Sequence, residues 1–453
     1  MSRLRSPFLA VLTAVAVLTP VSMLLASPAQ AQVVPAPGDI VVSRIGDGSG
    51  ALGSAATPVF LDEYSPSGAL VRTTPLPTVV SGAQRRLTMS GSATSEGALA
   101  LSGDGRYVTL AGYDAAVGTA SVASTSGTAA NRVVGRLAAD ATVDTSTASG
   151  ALLGGNNARG AVSDDGSRFW MVGGNGILYF PSLSSPSPTT IGTMNSRVPL
   201  VAGGQLYASS GSTATLGLNA VGSGLPTSTA ANTLVTGTNT TSPYGAVFLD
   251  RDGAPGLDTL YLADDTTAIG LTKFAMVGGS WVKQGTSYSG SGGLRGLTGS
   301  VVGADAVLWA VTSTGSLVKL NDAAAFNAEP SVTAGTPITA GTNRVFRGVA
   351  FAPQAPAVTP TAITNQPQDQ TITGGSTATL TVAATGANLT YQWYSGATTK
   401  WCDLSVVHHP RPHGHDVVLR AGHRRQRDRR QPDRRDHGDV GGEHDADHLG
   451  QHR

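Results

Sequence analysis

Across its first 400 residues this 453-residue chain contains neither histidine nor cysteine. That absence excludes a Ser-His-Asp triad, a Cys-His pair and any histidine- or cysteine-ligated metal from this stretch. The one cysteine, Cys402, has no second thiol to pair with, so no intrachain disulfide holds the fold. Charge is scarce too, at 13%. Lys and Arg total 30 against 29 acids, which leaves no global field to recruit nucleic acid or an anionic membrane. Beyond the N-terminus no apolar run is long enough to span a bilayer. No segment carries a sustained helical period, which points away from helices.

What is present begins with an export pattern. Arg3 and Arg5 precede an apolar run from Phe8 to Leu25, broken by Pro20, and small residues follow at Ala29 and Ala31. This reads as a secretory signal over 1–31 rather than a membrane anchor, because the run is interrupted and a cleavage-like site follows at once. The mature chain is expected to be secreted. Its 58 glycines and many Ser, Thr and Ala residues are compatible with disorder. Recurrent apolar clusters such as "RFWMV" and "DTLYLA" argue instead for many short strands joined by tight turns.

A loose repeat runs through residues 32–353. "EGALALSGDGRYVTLAGYD" (96–114) shows it clearly, and "ARGAVSDDGSRFWMVGGNGILYF" (158–180), "PYGAVFLDRDGAPGLDTLYLADD" (243–265) and "LRGLTGSVVGADAVLWAVTSTGSLVKL" (294–320) are further copies. A degenerate copy occupies 199–218. Asp-Gly between apolar runs marks hairpin turns, since those residues accept positive φ. The copies recur at roughly the length of a four-stranded propeller blade, ~40–45 residues. The first copy, 38–77, lacks an inner strand, and the last, "RVFRGVAFAP" (344–353), is a lone strand with the Arg-Gly-apolar start seen at 159 and 295. A propeller closes by completing one blade from both termini. The expectation is therefore an all-β fold with a β-propeller of six blades, or seven if 115–155 hides another. A pair of β-sandwiches or a β-solenoid is the rival.

A Pro-rich linker is expected over 354–368. In 369–400, Ala378, Leu380 and Val382 alternate as a strand, and "LTYQWY" alternates again with Trp393 in the core phase. This resembles the first half of a bacterial immunoglobulin-like domain, in which a tryptophan packs across the sandwich. After Lys400 the pattern stops. All nine histidines, ten of the 30 basic residues and nine of the 29 acids lie in 401–453. In GC-rich DNA these are the residues that Thr, Val, Ala, Gly and Ser codons become when read one base out of phase. Residues 401–453 are thus expected to be a disordered tail produced by a frameshift. The whole resembles secreted bacterial proteins that join a β-propeller-like repeat region to immunoglobulin-like domains, a likeness that implies architecture and an extracellular setting but no reaction.

Candidate sites are few. His408, His409, His413, His415 and Asp416 could ligate a metal, but Pro410, Pro412 and Gly414 break any rigid element, so adventitious binding by a tail is the simpler account. The run 424–435 is rich in arginine but has no aromatics to stack bases, so no nucleic-acid partner is expected. "DRDGAPGLD" (250–258) offers Asp250, Asp252 and Asp258 to calcium, with Gly253 permitting the turn, although a plain Asp/Gly hairpin explains the same residues. Adjacent carboxylates at Asp62/Glu63, Asp164/Asp165 and Asp264/Asp265 keep a paired-carboxylate glycosidase open. Neighbours in a strand point to opposite faces, however, and read more naturally as turns or rim. With no catalytic constellation in view, the expected function is a secreted, non-enzymatic binding or scaffold module for an extracellular protein or polysaccharide. The alternatives are an extracellular carboxylate-dependent polysaccharide hydrolase or lyase, or a fragment of a larger secreted enzyme. No cofactor other than calcium is implied, and no membrane span is expected after signal cleavage.

Overall fold

In a computed structural model of the chain, residues 35–356 are described apart from 186 and 289. Beyond them the description covers 362–368, 371, 373, 377–386, 389 and the backbone of 415–420. The expected signal peptide lies outside the described residues. The chain divides into two compact units at Pro356/Ala357.

The first unit is all β. It opens with β1 (Ile40–Ile45), β2 (Ala56–Tyr64) and β3 (Leu70–Pro75), followed by β4 (Thr88–Ser90), β5 (Ala100–Leu101), β6 (Tyr107–Tyr113), β7 (Arg132–Ala138) and β8 (Val143–Ala148). The short β4 pairs with both β2 and β6 and so joins two blade-like sheets into one. Four-stranded antiparallel sheets follow: β9 (Ala158–Ser163), β10 (Phe169–Gly173), β11 (Gly176–Phe180) and β12 (Thr189–Gly192); then β13 (Pro199–Ala202), β14 (Gln205–Ser210), β15 (Gly217–Val221) and β16 (Asn232–Leu234). The next comprises β17 (Pro243–Leu249), β18 (Thr259–Asp264), β19 (Leu271–Val277) and β20 (Ser280–Thr286). A five-stranded sheet holds β21 (Leu294–Val302), β22 (Asp305–Thr312), β23 (Ser316–Asp322), β24 (Val332–Ala334) and β25 (Ile338–Thr339). Finally β26 (Val345–Phe351) returns to pair antiparallel with β1, Ile40 opposite Phe351 and Val42 opposite Val349. The missing strand of the first repeat is thus supplied from the far end of the unit.

The hairpins sit where Asp-Gly predicts them. Gly105, between β5 and β6, has φ 74°, and Gly166, between β9 and β10, has φ 79°, a region in which a side chain would be strained. Residues 115–155 do not add a sheet: they form a 3-10 turn at Val122–Ser124 and then β7 and β8.

Packing is between sheets, in sequence order. Met171 and Phe180 of the third repeat meet Ala111 and Tyr113 of the second; Trp170 and Ile177 meet Leu206 and Val221; Leu218 meets Phe248 and Phe274. Tyr261 and Leu271 meet Leu308 and Val318, and Trp309 meets Ile40 and Phe346 of the first sheet. Val41 and Leu61 then meet Leu110 and Val133. Successive sheets therefore pack on one another, and Trp309 of the five-stranded sheet packs on the first sheet. Each fully buried aromatic or aliphatic side chain here contributes on the order of 1.5–3 kcal/mol. The Trp170 indole, fully buried, donates to the Pro226 carbonyl at 2.7 Å.

In the second unit, β27 (Ala362–Asn365), β28 (Thr377–Thr385) and β29 (His415–Arg420) make one three-stranded antiparallel sheet. Two expectations change here. The described residues hold no second sheet, so no immunoglobulin sandwich is formed by them, and Trp393 lies outside them. The tail is also not wholly unstructured, since β29 pairs along β28 with Leu380 opposite Val417. "HDVVLR" has the β-branched pair and the length of a strand, a local signal that the surrounding His, Arg and Asp obscured. Among the described residues no helix is long and apolar enough to cross a membrane.

Candidate functional site

The strands that open the sheets share one feature at their start. Glu96-Gly97, Arg159-Gly160, Tyr244-Gly245, Arg295-Gly296 and Arg347-Gly348 occupy equivalent places, and Arg197-Val198 stands there in the fourth repeat. The glycines are where neighbouring strands touch. A Cβ on Gly348 would overlap the Gly97 carbonyl and lie 2.6 Å from Leu99 N. On Gly97 it would lie 2.7 Å from Arg347 Cβ, on Gly245 2.8 Å from Arg295 O, and on Gly160 2.7 Å from Pro199 Cδ. Backbones approach this closely only where Cβ is missing.

The residue ahead of each glycine is thereby brought to the centre. Glu96, Tyr244, Arg295 and Arg347 line a narrow recess of ≈ 20 Å³ with Val198 and Leu99, room for about one water. The Tyr244 ring lies between two guanidinium groups, Arg197 at 4.3 Å and Arg295 at 5.6 Å from its centroid. Its hydroxyl hydrogen-bonds to no described residue.

Each arginine is held by a different set of acceptors. Arg295 forks onto Asp265 at 2.8 and 3.0 Å. Arg347 donates to the carbonyls of Ala93 and Gly91, at 2.5 and 2.8 Å. Arg159 donates to Asn195 Oδ1 and Ser196 O, and Arg197 to Ser242 Oγ and Pro243 O. The Nε atoms of Arg159 and Arg347 are buried without a hydrogen-bond partner among the described residues. Burial, with Arg295 nearby, brings Arg347 down to about 10 despite the attraction of Glu96. Burial also lowers Arg159, and the like charge of Arg197 adds to the effect.

Glu96 is the one carboxylate in the recess that is not in an ion pair. It accepts from Tyr113 Oη at 2.5 Å, Asn157 Nδ2 at 2.7 Å and Ser90 N at 2.9 Å. Burial nonetheless dominates these donors and raises its pKa above the usual carboxylate value. A carboxyl tuned upward, a partner-free phenol and several fixed cations are the parts of a proton-transfer centre that acts on developing negative charge.

The aspartate cluster expected to bind calcium is a separate feature at the far end of β17. Carboxylate oxygens of Asp250, Asp252 and Asp258 lie within 4.8 Å of one another, the first two exposed and Asp258 buried. The turn is wound on these side chains. Asp258 Oδ2 accepts from the backbone N–H of Arg251 and Asp252 at 2.8 and 2.7 Å, and Asp252 Oδ1 from Ala254 N at 2.8 Å. Burial opposes ionisation of Asp258, but its bonds from Thr259 and the two backbone N–H groups outweigh that and lower its pKa. Arg251 then anchors the turn inward, donating to Tyr261 Oη at 2.7 Å beside Asp322. Asp322 and Lys273, both fully buried, pair at 2.9 Å. Asp258 and Arg251 thus tie the turn to the body of the sheet, while Asp250 and Asp252 stay exposed.

The adjacent carboxylates do not act in pairs. Asp62 binds Arg44 at 2.5 Å while Glu63 binds Arg72 at 2.6 Å. Asp164 holds Arg168, and Asp165 caps its own turn through Ser167. Asp264 accepts from Ser242 N, whereas Asp265 positions Arg295. His408, His409, His413 and the arginine run lie outside the described residues, and His415 and Asp416 open β29.

No family model matches the chain, and no curated protein does. Among solved structures it is similar to a periplasmic gluconolactonase of Pseudomonas aeruginosa, at 12% identity and a TM-score of 0.36, over 66% of this chain and 82% of that one. It is also similar to a gluconolactonase of Xanthomonas campestris, at 16% identity and a TM-score of 0.33, over 68% and 88%. The expectation of a non-enzymatic module is corrected. It rested on finding no catalytic constellation along the sequence, whereas the fold gathers Glu96, Tyr244 and the arginines from separate repeats and also brings Asp250, Asp252 and Asp258 together.

The raised Glu96 carboxyl has a measurable consequence. Its protonated form contributes stability that is complete below its ordinary value of about 4.5 and is lost as pH rises through the raised folded-state value. Glu96→Gln removes this titration. The wild type is expected to lose melting temperature relative to the variant as pH rises from 4.5, in paired thermal melts. Parallel curves would show that Glu96 is not perturbed.

Proposed function

We propose that the first unit is a closed six-bladed β-propeller in a secreted protein, and that it is an extracellular carboxylate-dependent hydrolase or lyase of polysaccharide. The active centre is the recess framed by Glu96, Tyr244 and the arginines. One observation carries this reading: the carboxylate with a raised pKa and the partner-free phenol share a recess with fixed cations. Glu96 serves as the acid–base group, protonating a leaving oxygen or taking a proton from the attacking group. Arg347 and Arg295 offset negative charge that grows on the reacting oxygen, and Asp265 holds the Arg295 fork in place for that task. Tyr244 is positioned to exchange a proton with the sugar through its free hydroxyl.

The purified protein is expected to release oligosaccharide from at least one member of a polysaccharide array. Reducing ends without new unsaturation mean hydrolysis, and unsaturated ends mean elimination. Glu96→Gln and Tyr244→Phe should each lower kcat by about 10²–10⁴-fold. Binding of polysaccharides without any turnover would overturn the enzymatic reading.

For the aspartate turn the reading is a structural calcium site. All its donors are hard oxygens on a turn whose Gly253 has φ 81°, and Asp250 and Asp252 each keep a carboxylate oxygen that accepts no hydrogen bond. Calcium is expected to raise the melting temperature and a chelator to lower it, with Asp258→Asn abolishing the difference. A melt indifferent to calcium in the wild type removes this site.

A further inference from the structure

We infer that a cavity at the rim of the fourth sheet is a subsite for a neutral hexose unit, separate from the recess. It opens between the β14–β15 connection, which carries a 3-10 turn at Thr213–Thr215, and the edge strand β16. Its volume of ≈ 320 Å³ falls within the range of small-ligand pockets, roughly 300–1,000 Å³. Strand pairing builds the wall. Asn219 of β15 stands opposite Leu234 of β16, and Asn232 lies two residues before Leu234, so the three side chains share one face of the sheet. Thr213, Leu216 and Asn239 complete the lining used here.

The polar groups of this wall have unused bonding capacity. Asn219 is only 2% exposed, and its Nδ2 donates to the carbonyls of Thr215 and Gly217 at 2.8 and 3.2 Å. That fixes the amide, while its Oδ1 accepts no hydrogen bond from a described residue. The Asn232 side chain bonds to no described residue either, and its Oδ1 is shielded from solvent. Rotation about the last side-chain bond brings either end of that amide to the cavity. Thr213 and Asn239 add an exposed hydroxyl and an exposed amide, also without partners among the described residues. An amide left unsatisfied is unfavourable, and a ligand that bonds it recovers the loss.

The lining selects the ligand class. Among the described residues that line the cavity none is Asp, Glu, Lys, Arg or His, so an anion or a cation meets no counter-charge. Amides and hydroxyls set donors beside acceptors, the pattern that sugar hydroxyls match. Leu216 and Leu234, the latter 42% exposed, supply an apolar surface for the C–H face of a hexose ring. Main-chain bonds from Arg197 N to Ser209 O at 2.7 Å and from Ser209 N to Val198 O at 3.0 Å put the end of β14 beside Val198, which lines the recess. Recess and cavity therefore open at the same end of the fourth sheet, and the cavity holds a neutral unit of the polysaccharide that is cut. That role rests on the proposed activity, whereas the binding chemistry does not.

Calorimetric titration of the full chain with D-glucose, D-galactose and D-mannose tests this, since a single sugar unit offers nothing to cleave. At least one is expected to bind, with an affinity unchanged as salt is raised. The uronate and the amino sugar of that hexose should bind no more tightly than the neutral form. Asn232→Leu should weaken hexose binding about tenfold, the loss of one or two hydrogen bonds. It should melt no lower than the wild type, because the unpaired amide is gone. Should it unfold, Thr213→Val serves in its place: it removes one exposed hydroxyl at nearly constant shape and should still weaken binding. Binding of none of the three hexoses, tighter binding of a charged form, or hexose affinity untouched by both substitutions overturns the inference. Hexose binding in a protein that cleaves no polysaccharide leaves this subsite intact and removes the enzymatic reading. Cleavage without hexose binding does the reverse.

Discussion

Gly348 and Gly97 meet where the returning strand β26 lies beside the start of the second repeat, and neither position has room for a single additional carbon. A close backbone approach recurs at Gly245, where a Cβ would lie 2.8 Å from Arg295 O and Leu297 N, and a looser one at Gly296, while Gly160 is packed against the Pro199 ring. Everything at the centre depends on that spacing. With a side chain at these positions, neighbouring sheets would have to separate, and their face-to-face packing would loosen with them. Overpacking of this kind costs ~1–3 kcal/mol for each forced contact. The chain has no disulfide to absorb such a loss, since its only cysteine is Cys402.

The spacing that stabilises the fold also builds the site. Bringing the strands together places Glu96, Tyr244, Arg295 and Arg347, each of which precedes a glycine, in a common recess. A second buried charge cluster lies away from the recess: Asp322 pairs with Lys273 and accepts from Tyr261, which ties adjacent strands and sheets together.

Much of the architecture was legible in the sequence because it depends on local chemistry. Asp-Gly turns, alternating apolar runs and the lone final strand gave the all-β class and the pairing of β26 with β1. The immunoglobulin-like reading was carried by two strand patterns, and only one three-stranded sheet stands there among the described residues. The site was much less visible. Asp250, Asp252 and Asp258 were visible because they share one turn and so one short stretch of sequence. Glu96, Tyr244, Arg295 and Arg347 are far apart in sequence, and only the packing of sheet against sheet brings them together. One signal is nonetheless present in the sequence: the Arg-Gly start shared by three repeats places an arginine beside each close strand contact.

The central claim is that close glycine packing sets the spacing of the opening strands and so brings Glu96 and Arg347 into one recess, and Gly348→Ala tests it most directly. The variant should melt below the wild type and, at a temperature where it remains folded, should turn over polysaccharide more slowly, because Arg347 moves with the displaced strand. A Gly348→Ala protein that melts and turns over substrate as the wild type does would contradict the account.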